Sequence, residues 1–260
     1  MTAKSITLGI STKMYLGYRE SKVWLGAVTS LAKACEAVQT GQVTLFVAPT
    51  FPILETTLEL ARGTHLQVAA QNASDQDAGA LTGEVSPVFL AEMGVGLIEI
   101  GHAERRRYFG ESDGLVAAKV AAAQRNGLQP LLCVGETARV APREAARACL
   151  EQIRTANIDP DGPKPVIAYE PVWAIGAPQP ADPDYVCAVA EHLREELDAG
   201  ATLLYGGSAG PGLLPRLYPY VDGLFLGRFA HDPRNIALIL EEATALISRA
   251  NAPDVPGVSR

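Results

Sequence analysis

Apolar residues recur along the chain in eight short runs that lack strict alternation: "ITLGIS" (6–11), "VTLFVAP" (43–49), "LQVAAQN" (66–72), "LIEIGH" (97–102), "PLLCVGE" (130–136), "VIAYEP" (166–171), "TLLYGGS" (202–208) and "GLFLGRF" (223–229). Continuous apolar runs of this length predict strands covered on both faces, as in a parallel sheet. Between them the apolar period changes to three and four. "SKVWLGAVTSLAKACEAV" (21–38), "DGLVAAKVAAAQRNG" (113–127), "PREAARACLEQIRTANI" (142–158), "PDYVCAVAEHLREELDAG" (183–200) and "DPRNIALILEEATALISRAN" (232–251) all read as helices. First-turn prolines open three of them, Asp232 stands as an N-cap, and Gly127 and Gly200 close 113–127 and 183–200.

Strand and helix alternate to the end without a linker, a low-complexity stretch or a repeat. Eight βα units over residues 1–250 predict an α/β fold, one (β/α)8 barrel, with 251–260 as a frayed tail. A doubly wound sheet would use the same alternation. It would place a dinucleotide-type glycine loop after the first strand, where this chain has "TKMYLGY".

Composition narrows the function classes. The formal net charge of −7 with no basic block argues against a nucleic-acid surface. Cys35, Cys133, Cys149 and Cys187 stand far apart, which suggests neither a zinc cluster nor a disulfide framework. The N-terminus runs straight into a strand without the apolar region of an export signal, and no segment approaches a membrane span. The expectation is a cytoplasmic protein with reduced thiols.

Chemistry in such barrels sits at the carboxyl ends of the strands. Those ends carry Ser11 and Lys13, Gln71 and Asn72, His102 and Glu104, Glu136, Glu170, Ser208, and Gly227 with Arg228. A lysine, a histidine and a glutamate from three strands make an acid/base constellation. A helical turn beginning at Ala103 would set backbone N–H groups near the His102 ring and disfavour its imidazolium. Each residue also has a plainer reading: Lys13 as a solvated cation, His102 as a satisfied structural group, Cys133 as a small core residue, and Arg105, Arg106 and Arg107 as scaffolding. "YGGSAGPG" and "LGRFAHDP" are small-residue turns after strands seven and eight, where barrels bind phosphate.

"GHAERR", "AYEPVWAIG", "AAQN", "ALTGEVSP", "CVGET" and "YGGS" resemble motifs of the triosephosphate isomerase family, in its order and spacing. The resemblance implies Glu170 as catalytic base, His102 as electrophile, Lys13 as the cation that attracts substrate, and Glu104 as support for the lysine. It implies a lid from Trp173 to Ala181 and a phosphate site at Gly176, Ser208 and Gly227; Ser11, Gly207 and Arg228 complete the candidate substrate set. It further implies a homodimer in which Thr82, in "ALTGE" (80–84), approaches the partner's site. No metal or organic cofactor is required.

Three positions depart from the family pattern. Ser11 and Thr12 replace an asparagine and a tryptophan ahead of the lysine. The lid reads "AIGAPQPA", in which Pro178 and Pro180 remove two N–H donors. Gly227-Arg228 replaces paired glycines, so either the backbone runs differently there or a guanidinium lines the pocket. Changes gathered around an intact trio favour an isomerase of a four-carbon ketose phosphate, L-erythrulose 1-phosphate. The alternatives are a triosephosphate isomerase and a barrel that binds a phosphorylated ligand without turnover.

Overall fold

A computed structural model describes residues 5–176, 181–198 and 200–250. Eight strands, β1 (Ile6–Ser11), β2 (Val43–Ala48), β3 (Gln67–Ala70), β4 (Leu97–Ile100), β5 (Gln129–Val134), β6 (Val166–Tyr169), β7 (Thr202–Tyr205) and β8 (Gly223–Leu226), pair in chain order. All pairs are parallel, and β8 returns to β1 through Thr7↔Gly223 and Leu8↔Leu224, so the barrel is closed. Among the described residues, closure leaves no exposed edge strand.

The helices cover the outside: α1 (Tyr18–Ala34), α2 (Glu36–Gln39), α3 (Leu54–Ala61), α4 (Pro87–Met93), α5 (Ala103–Phe109), α6 (Asp113–Arg125), α7 (Pro142–Thr155), α8 (Pro183–Arg194), α9 (Leu214–Leu217) and α10 (Pro233–Ala250). The expected stretch 21–38 starts earlier and breaks at Cys35, whose extended backbone separates α1 from α2. Helices α3, α4 and α9 lack a long apolar period and were not expected. The reading of 113–127 ends at Arg125, that of 142–158 at Thr155 and that of 183–200 at Arg194. Asp232 acts as anticipated: its Oδ1 accepts the N–H of Arg234 at 3.0 Å.

The lack of alternation in the strands reflects two hydrophobic layers. Outward residues such as Leu45, Val47, Ile98 and Ile100 pack beneath the helices. Inward residues Phe46, Ala48, Ala69, Leu97, Leu131, Cys133, Val166, Ala168, Leu204 and Phe225 fill the barrel, with Phe46 and Phe225 stacked at 6.0 Å. Gly9 belongs to this arrangement, since a Cβ there would lie 2.1 Å from the Phe46 ring.

Seven expected strands overran their true ends, "VTLFVAP" by Pro49 alone. "LQVAAQN" stops pairing at Ala70, "LIEIGH" at Ile100, "VIAYEP" at Tyr169, "TLLYGGS" at Tyr205 and "GLFLGRF" at Leu226, while "PLLCVGE" stops at Val134. The excess residues follow the carboxyl ends of the strands and carry the polar groups. The stretch Pro178–Pro180 and the tail 251–260 lie outside the described residues.

Candidate active site

A cavity of about 530 Å³ opens at the carboxyl ends of the strands. It brings together Ser11, Lys13, His102, Glu104, Glu170, Gly176, Gly207, Ser208, Gly227 and Arg228, the expected set apart from Thr82. Thr82 lies in an exposed turn elsewhere on this chain.

Lys13 follows β1 in a left-handed backbone conformation, φ 49°, unusual for a residue with a Cβ. Gln71 holds that turn: its Nε2 donates to the carbonyls of Ala48 at 2.9 Å and Lys13 at 3.1 Å. The Lys13 ammonium donates to Glu104 Oε1 at 2.7 Å. Burial acts to lower its pKa, but the bond to Glu104 and the fields of Glu170, Glu104 and Glu99 outweigh it and hold the lysine above its ordinary value.

His102 is the N-cap of α5, placed by the positive φ of Gly101. Its Nδ1 accepts the backbone N–H of Glu104 at 3.1 Å. That bond assigns the proton of the neutral ring to Nε2, which points toward the cavity 3.2 Å from Glu170 Oε2. Burial, reinforced by the Lys13 charge, pushes the His102 pKa down, so the ring is neutral at pH 7.

Glu170 leaves β6 with its N–H bonded to Val134 O at 2.8 Å. Two glycines make its position possible. A Cβ on Gly135 would lie 1.8 Å from Glu170 O, and one on Gly206 would lie 2.7 Å from its Cγ and Oε1. Glu170 is 3% exposed, and its Oε2 accepts no hydrogen bond among the described residues. Burial raises its pKa to about 8; Lys13 opposes the rise, while Glu99 and Glu104 add to it. An under-solvated carboxylate facing a neutral N–H donor suits removal of a proton from a carbon beside a carbonyl.

Gly207 and Ser208 after β7 and Gly227 and Arg228 after β8 form one wall of the cavity. Arg228 lines the pocket, and its guanidinium donates to the carbonyl of Gly176 at 3.4 Å. The arginine run divides. Arg105 bonds Glu111, and Arg106 bonds Asp113 and Gly101 O, as scaffolding does. Arg107 is exposed at the rim of the cavity, with its guanidinium 5.1 Å from the centre of the Tyr108 ring. Cys133 is a core residue, as its plainer reading had it.

Sequence reasoning left three contributors unassigned. Glu136 Oε1 collects hydrogen bonds from the Tyr169 hydroxyl (3.2 Å), the Trp173 indole (2.7 Å) and the Tyr185 hydroxyl (3.0 Å), anchoring the segment that leads to the expected lid. Gln71 braces Lys13. Glu99, inside β4, accepts a hydrogen bond from Ser11 Oγ at 2.9 Å. The available signal for Glu99 was a carboxylate in an otherwise apolar strand, "LIEI".

The sequence profile of the family described as Triosephosphate isomerase matches residues 6–243. This chain belongs to the triosephosphate isomerase family. It is 44% identical over 259 residues to the L-erythrulose-1-phosphate isomerase of Pectobacterium atrosepticum, covering 96% of this chain and 100% of that one. It is 37% identical to the protein of the same name from Rhizobium meliloti, covering 95% and 100%. A triosephosphate isomerase from a Synechococcus species is 35% identical, covering 91% and 96%. Like its family, this chain is an isomerase, and triosephosphate isomerase is the reference case for a glutamate base paired with a neutral histidine.

Proposed function

We propose that the protein interconverts L-erythrulose 1-phosphate and D-erythrulose 4-phosphate through an enediolate. Glu170 takes the proton from C3, beside the C2 carbonyl, and the electron pair moves toward the carbonyl oxygen. The Nε2–H of His102 donates to that oxygen, and the Lys13 ammonium offsets the developing charge. Return of a proton to C2, with the O3 hydroxyl proton moved to O2, leaves a ketone at C3. Numbered from the other end, that product is D-erythrulose 4-phosphate. The wall of Gly207, Ser208, Gly227 and Arg228 holds the phosphate. Residues 173–181 form the closing lid, which excludes water during proton transfer.

The observation that carries the reading is the meeting of Lys13, His102 and Glu170 at one cavity, with His102 Nε2 3.2 Å from Glu170 Oε2. Relatives named L-erythrulose-1-phosphate isomerase, at up to 44% identity, support the four-carbon substrate over the triose. The exchange of an amide for the Ser11 hydroxyl supports it too, since it changes the floor while leaving the trio intact. A homodimer, with Thr82 directed to the partner's site, completes the proposal; so does a cytoplasmic setting, where free thiols stay reduced.

Comparison of kcat/KM for L-erythrulose 1-phosphate and dihydroxyacetone phosphate tests the substrate. A preference for the triose of about a hundredfold, some 2.7 kcal/mol, overturns the four-carbon reading.

A further inference from the structure

Glu99 is a buried carboxylate that the mechanism above does not use. On β4 it shares the inward face with Leu97, where an apolar residue would pack without the penalty of burying a charge. Across the barrel interior it meets Ser11, inward on β1 in the same parity as Gly9. The Ser11 hydroxyl donates to Glu99 Oε2 at 2.9 Å with both residues buried. Ser11 lines the cavity beside Lys13 and Glu170, and Glu99 lies behind it, outside the lining.

A serine has one hydroxyl proton and two lone pairs. Ser11 spends its proton on Glu99 and therefore offers the cavity an acceptor. A three-carbon ketose phosphate and its four-carbon counterpart differ by one hydroxymethyl group, carried on the carbon that loses the proton and remote from the phosphate. The phosphate wall is built after β7 and β8; β1, which ends on Ser11, pairs with β8, and β4, which carries Glu99, stands opposite β8 in the closed ring. The added group sits on the carbon that Glu170 deprotonates, and Ser11 lines the same cavity as Glu170.

We propose that the Ser11–Glu99 pair is a specificity device: Glu99 orients Ser11 as an acceptor for the hydroxyl that a four-carbon substrate has and a three-carbon substrate lacks. The inference rests on the four-carbon reading. Glu99 is a positioning residue that acts through Ser11, and the recognised group is a primary alcohol beside the reacting carbon. A polar site built for a substrate hydroxyl discriminates against the analogue without it more strongly than an apolar pocket does.

The test measures kcat and KM for L-erythrulose 1-phosphate and dihydroxyacetone phosphate with the wild type, Ser11→Ala, Glu99→Leu, Glu99→Gln and the Ser11→Ala/Glu99→Leu double variant. Ser11→Ala and Glu99→Leu are each expected to lower the tetrose-to-triose ratio of kcat/KM about tenfold or more, chiefly through KM for the tetrose. Glu99→Gln, whose Oε1 accepts the same serine proton, keeps the ratio within about threefold of wild type. The double variant is no worse than either single, because both remove one interaction. Parallel loss on both substrates, with the ratio unchanged, overturns the inference. Should Glu99→Leu fail to fold, Ser11→Ala and Glu99→Gln decide by the same ratio. A wild type that prefers the triose defeats the four-carbon reading itself; a wild type that prefers the tetrose, with flat ratios among variants, defeats only the role of the pair.

Discussion

Replacing Glu170 by glutamine should abolish turnover and, at the same time, stabilise the protein in a pH-dependent way. Wild-type Glu170 is 3% exposed, its Oε2 has no hydrogen-bond partner among the described residues, and burial raises its pKa to about 8 from an ordinary 4.5. Between those values the folded chain keeps a proton that the unfolded chain has released, so wild-type stability falls as pH rises through the interval. The 3.5 pH units separating them, at about 1.4 kcal/mol each, make the full loss roughly 5 kcal/mol by pH 9, against about 1 kcal/mol at pH 5. Glutamine has nearly the same shape and never ionises. Its advantage over wild type should therefore grow by roughly 4 kcal/mol from pH 5 to pH 9, or roughly 8–16 °C in Tm for a chain of this size. Thermal unfolding of both proteins, followed by circular dichroism at the two pH values, reads the difference directly. The reasoning is refuted if the Tm gap is the same at both pH values, or if glutamine is the less stable side chain at pH 9. Activity provides the second arm: kcat should fall by at least about three orders of magnitude, since no other described side chain replaces the base.

Two further outcomes follow from the same geometry. Gly206→Ala places a methyl group 2.7 Å from Cγ and Oε1 of Glu170. It should lower kcat about a hundredfold through displacement of the base, with the circular dichroism spectrum unchanged; wild-type kcat would contradict the close approach. Arg228→Ala should raise KM for a phosphorylated substrate about tenfold, leave kcat within about threefold, and weaken the salt dependence of kcat/KM. An unchanged KM would place the guanidinium outside the phosphate site.

The local pattern of the chain determined the order of strands and helices, the barrel, and the identity of most groups at its mouth. These are legible because strand burial, helix period and capping are set by near neighbours in sequence. "AYEPVW" marked Glu170 for the same reason: a carboxylate breaking an apolar strand before a proline is a local event. Strand ends were overextended because the glycine and polar residues that follow each apolar run read alike whether or not they have a ladder partner. Where pairing stops is decided by the neighbouring strand, and beyond that point the chain turns out to form the site.

The tertiary structure alone decided which distant groups meet and which protonation states result. Glu99 went unassigned in β4, because its partner Ser11 lies 88 residues away. Gly206 carried no visible link to Glu170, though its missing side chain is what lets the base lie there. The raised pKa of Glu170 and the neutral His102 arise from burial and from one another's surroundings, not from the residues themselves. Sequence names the charges, but their energies depend on the distance and solvation that only the closed barrel imposes.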